Sequence, residues 1–282
     1  MWKQKIGISI ANSYKIPTTE IIEIIAKSKF DAISPEWIPD VDYDPIINTA
    51  KSLGLEIQSL HATFGQCAIM WGDNKDRVDF ALSEYFAALE VCKKHSIPVL
   101  VMHVWFEYWD KPENFSLENG FKNYSKVIQK AKEYGVKVAF ENTEREDLLF
   151  KLMDFFKDEE AVGFCWDSGH EMCYNHSEDL LAKFGDRLIM THLNDNLGIS
   201  RFDGEVFWHD DLHLLPYDGV ADWDYNVKRL KNSKKLDILN FELGINNKPD
   251  RHECDAYQAM NYETYYAECY KRACKIAYRY SI

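Results

Sequence analysis

The sequence contains no uninterrupted apolar run of 18 or more residues, which is about the length that a membrane-spanning helix needs. It also contains no low-complexity segment and no change of composition that would mark a linker. The apolar stretch near the N-terminus is shorter than the core of a signal peptide and is better explained as a β-strand. We therefore expect one domain over residues 1–282, without a transmembrane segment.

Cysteine is present but not arranged for cross-linking. The seven cysteines form no CxxC motif, and their odd number does not suit a disulfide framework. Because thiols stay reduced in the cytoplasm, we expect a cytoplasmic protein.

Basic residues are outnumbered by acidic ones. Lys and Arg total 33 against 46 Asp and Glu, which gives a net charge of −13. Proteins that bind nucleic acid neutralise its phosphates with clustered Lys and Arg. The acidic balance therefore disfavours nucleic acid as a partner, and it leaves open whether the chain forms homo-oligomers.

Short apolar runs alternate with helical patterns along the whole chain, which is typical of parallel βα units. The predicted strands are Ile6–Ile10, Ala32–Ser34, Leu55–His61, Val99–Val104, Val136–Glu141, Val162–Asp167, Leu188–His192 and Ile238–Glu242. The predicted helices are Pro17–Lys29, Pro45–Leu53, Arg77–His95, Leu117–Tyr134, Glu146–Lys157, Ser177–Phe184 and Tyr262–Tyr280. This order and a length of 282 residues predict an α/β fold, a single (β/α)8 TIM barrel.

Side chains that can bind metal recur at the C-terminal ends of at least six of these strands. They are His61, His103, Glu141, Asp167, His170, His192 and Glu242. In a TIM barrel the catalytic groups come from the C-terminal ends of several strands, on one face. Repetition at six strand ends predicts a metal site rather than isolated structural residues.

Four of these residues complete a metal site by themselves. Glu141, Asp167, His192 and Glu242 follow four consecutive predicted strands, and one ion usually takes three or four protein ligands. Imidazole and carboxylate ligands suit zinc or manganese, and also cobalt or iron. We therefore expect a divalent metal as cofactor.

The chain carries more candidate ligands than one ion needs. The additional candidates are His61, His103, His170, Asp211 and His213. Asp211 and His213 lie in the longest irregular stretch, Leu193–Asp222, and a loop of that length in a compact domain is usually functional. These residues either bind further ions, up to three in total, or hold a polyhydroxylated substrate.

Four motifs carry a resemblance to a known family. They are ENTE at Glu141–Glu144, WDSGH at Trp166–His170, THLNDN at Thr191–Asn196 and DLHLLPYDGVADW at Asp211–Trp223. Over nearly its whole length the chain resembles the xylose-isomerase-like TIM-barrel superfamily, also called AP endonuclease family 2. That superfamily groups sugar (phosphate) isomerases and epimerases with endonuclease IV.

The resemblance implies two different ligand sets. In the epimerase-like members, the residues that match Glu141, Asp167, His192 and Glu242 bind one divalent metal, and the residue that matches His170 contacts substrate oxygens. In endonuclease IV nine ligands hold three zinc ions, and all nine matching positions carry a compatible residue here. The number of ions therefore stays open.

Two features favour sugar chemistry over DNA cleavage. Endonuclease IV typically follows its strand-4 histidine with a Pro-Gly turn, whereas His103 precedes the aromatic segment Val104–Trp109. The loops that would face DNA carry acidic residues such as Asp73, Glu107 and Asp110. These carboxylates would repel phosphates.

We therefore expect a metal-dependent sugar isomerase or epimerase that moves a proton next to the carbonyl of a ketose or related polyol. Glu141, Glu242 and His170 are the expected catalytic residues, and Asp195 is expected to orient the ligands. The expected substrate-binding residues are Trp37, Trp71, Trp105 and Glu144. An endonuclease IV-like multinuclear zinc phosphodiesterase is the alternative, and a barrel that binds sugar without turnover is a third hypothesis.

Overall fold

The computed structural model describes residues 4–11, 14–106 and 110–282, and it alternates strands with helices. The strands are β1 (Lys5–Ile10), β2 (Ala32–Pro35), β3 (Glu56–Ile57), β4 (Leu60–His61), β5 (Val99–His103), β6 (Lys137–Glu141), β7 (Val162–Asp167), β8 (Leu188–His192) and β9 (Ile238–Phe241). The helices are α1 (Thr18–Lys27), α2 (Tyr43–Ser52), α3 (Lys75–His95), α4 (Leu117–Tyr134), α5 (Glu146–Phe155), α6 (Ser168–Cys173), α7 (Leu180–Phe184), α8 (Trp223–Asn232), α9 (Asp255–Gln258) and α10 (Tyr262–Ser281).

The strands close into one barrel through two seams. Parallel pairing forms one sheet of order β3-β2-β1-β9 and another of order β4-β5-β6-β7-β8. At one seam the Trp37 backbone N–H donates to the His61 carbonyl at 2.7 Å. At the other seam the Leu193 N–H donates to the Asn240 carbonyl at 2.9 Å. The predicted (β/α)8 barrel is therefore confirmed.

The predicted third strand, Leu55–His61, is divided where it changes partner. Its first part, β3, pairs with β2, and its second part, β4, pairs with β5. The Gln58 N–H still donates to the Ile33 carbonyl of β2 at 3.0 Å, and the Ala62 N–H donates to the Val101 carbonyl of β5 at 2.9 Å. The two parts together form one of the eight barrel strands.

Three helices, α6, α8 and α9, were not predicted from the sequence. α6 starts directly after β7, where the Asp167 carboxylate accepts from the His170 backbone N–H at 2.7 Å. In α8 the buried residues Trp223, Val227 and Leu230 recur at helical spacing. The spacing of these apolar residues is visible in the sequence and could have predicted the helix.

The barrel interior is apolar on one side and polar on the other. The apolar side consists of Val99, Val101, Ala139, Cys165 and Met190. On the polar side the Asn240 amide donates to Ser9 Oγ at 2.8 Å, and its carbonyl oxygen accepts from Ser34 Oγ at 3.2 Å. A Cβ on Gly7 would lie 2.8 Å from Gln58 Oε1 and 2.9 Å from Asn240 Oδ1, so a larger residue here would displace these polar side chains.

The larger core lies between the barrel and its outer helices. Ile21, Ile22 and Ile25 of α1, for example, are fully buried on one helix face, as expected for an amphipathic helix that packs on a sheet. Within the described ranges of the chain, we find no helix that combines the length and the apolar character needed to cross a membrane.

The contact between α4 and Trp71 provides a test of the packing. A Cβ on Gly120 would lie 2.1 Å from the indole ring of Trp71, which is fully buried and whose N–H donates to the Val104 carbonyl at 2.7 Å. We expect Gly120→Ala to lower the free energy of unfolding by about 1–3 kcal/mol in urea denaturation, because overpacking exceeds the gain in helix propensity. Lys122→Ala, at an exposed position of α4, should change it by less than about 0.5 kcal/mol. Equal effects of the two variants would contradict this explanation.

Candidate metal centre

The strand ends converge on the carboxylate of Glu141, which is fully buried at the end of β6. Its Oε2 lies 3.2 Å from His61 Nε2 and 3.4 Å from His103 Nε2. Its Oε1 lies 3.1 Å from His192 Nδ1 and 3.2 Å from His170 Nδ1. One carboxylate therefore faces imidazoles from four different parts of the barrel rim.

The four residues predicted to form a single metal site are brought together. Ligand atoms of Glu141, Asp167, His192 and Glu242 all lie within 4.8 Å of one another, and His192 Nδ1 is 2.8 Å from Glu242 Oε2. Ligands that each lie about 2 Å from a common ion are separated by distances of this order. The geometry therefore fits one divalent ion.

The additional candidates form two more groups around the first. His61 and His103 share Glu141, and His170 gathers with Asp211 and His213, each group again within 4.8 Å. His213 Nε2 lies 3.0 Å from either oxygen of Asp211, and His170 Nε2 lies 3.6 Å from Asp211 Oδ1. All nine predicted ligands thus lie at one end of the barrel.

Several potential ligand atoms in these groups are buried and make no hydrogen bond of favourable geometry among the described residues, although imidazole and carboxylate atoms lie 2.8–3.4 Å from one another. They are Nδ1 and Nε2 of His103, Nδ1 of His192, Oε1 of Glu141 and Oδ1 of Asp211. Buried polar atoms are normally hydrogen-bonded. Convergent imidazole nitrogens and carboxylate oxygens without such partners are the donor set of zinc and related divalent ions.

Burial and the neighbouring charges act in opposite directions on the carboxyl groups. Burial opposes ionisation of Glu141, but the histidines around it, His192 foremost, hold its pKa well below the usual value. Burial likewise opposes ionisation of Glu242, and His192 outweighs it and lowers the pKa to about 2. Burial dominates at Asp167 and raises its pKa to about 6, although the charge of His170 acts against it.

Neighbouring carboxylates raise the pKa of most of the central histidines, whereas burial lowers that of His103. Burial lowers the pKa of an imidazole, but Asp167 and Asp211 reverse this at His170 and hold its pKa well above the usual value. Burial is similarly outweighed at His213, where Asp211 raises the pKa to about 9. The raised pKa values favour the imidazolium form, whose positive charge balances the buried carboxylates.

Asn194 and Asn142 fix the position of Asp167 and were not predicted as site residues. Asn194 Nδ2 lies 3.1 and 2.9 Å from the two Asp167 oxygens. Asn142 Oδ1 accepts from the Asp167 backbone N–H at 2.8 Å, and the backbone carbonyl of Asn142 accepts from His170 Nδ1 at 2.9 Å. Asn142 lies in the motif ENTE and Asn194 in the motif THLNDN, so their position in these motifs was the sequence signal that could have identified them as site residues.

Asp195 holds the long loop rather than a ligand of the ion. Its carboxylate accepts from the backbone N–H groups of Tyr217 and Ala221 at 2.8 and 2.9 Å, and from Trp223 Nε1 at 3.0 Å. The backbones of Asp195 and Leu214 also bond to each other in both directions at 2.9 Å. Asp195 thus fixes the segment that follows Asp211 and His213, and its carboxylate bonds to that segment and not to a ligand side chain among the described residues.

A cavity of about 830 Å³ opens above the metal-capable groups. Glu144, His170 and Glu242 line it, although both carboxylate oxygens of Glu144 are buried. Glu36 also lies there, directly after β2, although the sequence analysis did not select it. Burial raises the pKa of Glu36.

The three tryptophans predicted to bind substrate lie elsewhere. Trp37, Trp71 and Trp105 are buried, and they are absent from the cavity wall formed by the described residues. Their large apolar surface packs in the core, which is the more common environment for such side chains. Aromatic side chains that do line the cavity include Phe64, Phe106, Tyr174 and Trp208. Glu107, Tyr108 and Trp109 of the predicted aromatic segment lie outside the described residues.

With this geometry established, the chain can be assigned to a family. Residues 20–260 match the family model of the xylose isomerase-like TIM barrel. The chain belongs to this family, which confirms the resemblance seen in its motifs.

Individual relatives are more distant. An uncharacterised protein of Sinorhizobium fredii is 34% identical over 136 residues, which are 46% of this chain and 40% of that protein. The chain spans two fifths to one half of the length of the curated relatives it matches. Among solved structures, the IOLI protein with a bound zinc atom has a TM-score of 0.73 at 16% identity, covering 97% of this chain and 98% of that one. D-psicose 3-epimerase from Clostridium cellulolyticum H10 with D-tagatose has a TM-score of 0.71 at 14% identity, covering 98% and 99%. These two likenesses show a shared fold.

Metal binding should depend strongly on pH. A histidine must be neutral to bind metal, and the pKa of His192 is held well above its usual value, burial being outweighed by Cys165 and by Glu141 and Glu242. Binding therefore releases protons, and we expect zinc affinity to rise with pH above about 6, where Asp167 is also ionised. Titration calorimetry in buffers of different ionisation enthalpy measures this release. Binding without net proton release near neutral pH would contradict the charge arrangement.

Asn194 should be required for tight metal binding. Asn194→Ala removes the amide that contacts both oxygens of Asp167, and loss of such an orienting contact typically costs about 10–100-fold in metal affinity. Competition with a chelating dye measures the change, and circular dichroism checks the fold. Asn114→Ala, on an exposed loop, is the matched control. Unchanged affinity in Asn194→Ala would exclude the orienting role.

Proposed function

We propose that this protein is a divalent-metal-dependent sugar isomerase or epimerase, which acts on a ketose or a related polyol by proton transfer next to the carbonyl. The observation that carries the proposal is the position of Glu242. Its side chain is 26% exposed and lies on the cavity wall, while its Oε2 is 2.8 Å from His192 within the metal-capable group. One carboxylate thus reaches both the metal position and the space for a substrate.

We assign different roles to the residues at the cavity floor according to how exposed their side chains are. Glu242, with its lowered pKa, is ionised at neutral pH and can accept a proton from a substrate carbon. His170 lies on the cavity wall and would hold a substrate oxygen. Glu141 is fully buried, so we assign it mainly to metal ligation and charge balance. It would return the proton to the substrate only when its own bond to the metal loosens.

A metal ion would be held by Glu141, Asp167, His192 and Glu242, with zinc or manganese as the ions that suit these ligands. Such an ion supplies Lewis-acid polarisation of adjacent substrate oxygens and stabilises the negative charge that develops on them. Support for a metal at this place comes from the convergence of buried imidazole and carboxylate ligand atoms that lack hydrogen bonds of favourable geometry. The solved structure of the same fold that contains a zinc atom also supports it.

A carbohydrate suits the cavity better than a polyanion. Glu36 and Glu242 contribute carboxylates to the wall, which Lys15 and Lys248 also line. These carboxylates can accept hydrogen bonds from hydroxyl groups but repel phosphates. Structures with this fold include D-psicose 3-epimerase with D-tagatose, L-ribulose 3-epimerase and a 3-keto-D-glucoside 4-epimerase. These names support a sugar as the substrate class.

The cysteines indicate the cellular compartment. All seven cysteines are free, and six of them are buried. Thiols without a disulfide partner suit a reducing compartment, so we propose the cytoplasm.

A multinuclear zinc phosphodiesterase is the second candidate. It is favoured by one observation, the two additional groups formed by His61 and His103 with Glu141 and by His170, Asp211 and His213. Two ions near a shared carboxylate are an arrangement found in enzymes that cleave phosphate esters. The acidic wall of the cavity weighs against this candidate.

Deuterium exchange distinguishes the two candidates. With a panel of ketoses in deuterated water, we expect NMR to detect metal-dependent exchange at the carbon next to the carbonyl. Because Glu242 is the proposed base, Glu242→Gln should lower the exchange rate by about 10²–10⁴-fold. Glu133→Gln, an exposed glutamate of α4, is the control and should exchange at the rate of the unaltered protein.

DNA that contains an abasic site provides the opposing assay. We expect no incision at low salt, where phosphate contacts are strongest. Efficient metal-dependent incision together with no exchange on any ketose would reject the isomerase proposal in favour of the phosphodiesterase.

A further inference from the structure

The segment after β9 places two cations against two adjacent carboxylates of the long loop. Arg251 Nη1 lies 2.9 Å from Asp210 Oδ1, and Lys248 Nζ lies 3.4 Å from Asp211 Oδ2. Asp210 is buried and also accepts from the Ser200 backbone N–H at 2.8 Å. The Arg251–Asp210 pair therefore fixes the segment so that Lys248 reaches a candidate metal ligand.

Two further contacts hold Lys248 in this place. Its ammonium lies 5.2 Å from the ring centroid of Trp208, within the range of a cation–π interaction. The neighbouring Asn247 accepts from the Cys254 backbone N–H at 2.7 Å, which anchors the backbone. The Lys248 side chain is 22% exposed and lies on the cavity wall. The cation is thus part of the site and not a solvated surface charge.

Lys248 and a second metal ion would compete for the same carboxylate. An ion in the group of His170, Asp211 and His213 would lie about 2 Å from an Asp211 oxygen. The ammonium is 3.4 Å from Asp211 Oδ2, so the two cations would be separated by only a few ångströms. Like charges repel strongly at such distances in a partly buried site, and the ammonium already offsets the charge of Asp211.

We infer that Lys248 takes the place of a second divalent ion and keeps the group of His170, Asp211 and His213 free of metal. Asp211 and His213 then form hydrogen bonds beside the substrate and do not bind metal. The inference rests on the proposed metal site at Glu141, and it removes one of the two additional groups from metal binding, while the group of His61 and His103 with Glu141 is unaffected.

Crystals soaked in zinc test the inference at the level of the individual groups. In the unaltered protein, anomalous scattering should give a zinc peak at Glu141, Asp167, His192 and Glu242, and no peak at the His170 group. In Lys248→Met a peak should appear at the His170 group, and elemental analysis should rise by about one zinc per chain. Lys248→Arg, which keeps the charge, should not gain the peak.

The controls separate the charge of Lys248 from a change of fold. Lys15→Met removes another lysine of the cavity wall and should leave the zinc positions unchanged. If Lys248→Met does not fold, Lys248→Gln removes the charge with a polar side chain of similar length, and the same gain of zinc is expected.

Three results would overturn the inference. They are a zinc peak at the His170 group of the unaltered protein, no gain of zinc in either neutral variant, and an equal gain in Lys248→Arg. The first two leave the proposed function standing if zinc occupies the Glu141 group. Absence of zinc from the Glu141 group in the unaltered protein would instead reject the proposed metal dependence, and this inference with it.

Discussion

The buried carboxylate of Glu141 is the feature on which the rest of the site depends. A carboxylate without solvent is costly unless opposite charges surround it, and here four imidazoles face its two oxygens at 3.1–3.4 Å. Each imidazole comes from a different part of the barrel rim. The parallel register of the strands brings them to one level, so the closed barrel and the charge balance of Glu141 support each other.

Asparagine and aspartate side chains around the site hold the ligands and the neighbouring loops in fixed positions. Asn142 and Asn194 fix Asp167 and His170, while Asp195 fixes the segment after His213. A Cβ on Gly169 would lie 1.9 Å from Asn194 Oδ1, and one on Gly219 would lie 2.2 Å from Asp195 Oδ1. The two glycines are therefore required by the close approach of these polar side chains.

The sequence predicted the barrel and the convergence of Glu141, Asp167, His192 and Glu242 because both follow from strand periodicity, whereas Asp211 and His213, which lie in a loop, were indicated by the motif resemblance. Strand ends are visible as the points where apolar runs stop, and barrel closure brings all of them to one face. The division of the third strand was not visible, because it arises from a change of pairing partner at Gln58. The depth of a side chain was not visible either. Trp71 and Trp105 follow strand ends as Trp208 follows β8, yet only Trp208 lines the cavity. Lys248 was missed because its role depends on a contact with Asp211, 37 residues away.

The far wall of the cavity joins the two ends of the described chain. Tyr14 and Tyr266 contact each other through their hydroxyl groups at 2.9 Å across a separation of 252 residues, and both line the cavity. Contacts between such distant segments form late, since closing a long loop costs entropy that nearby contacts do not. The candidate ligands, in contrast, lie between residues 61 and 242. The cavity wall therefore depends on a contact between the two ends of the described chain, whereas every candidate ligand comes from the segment between them.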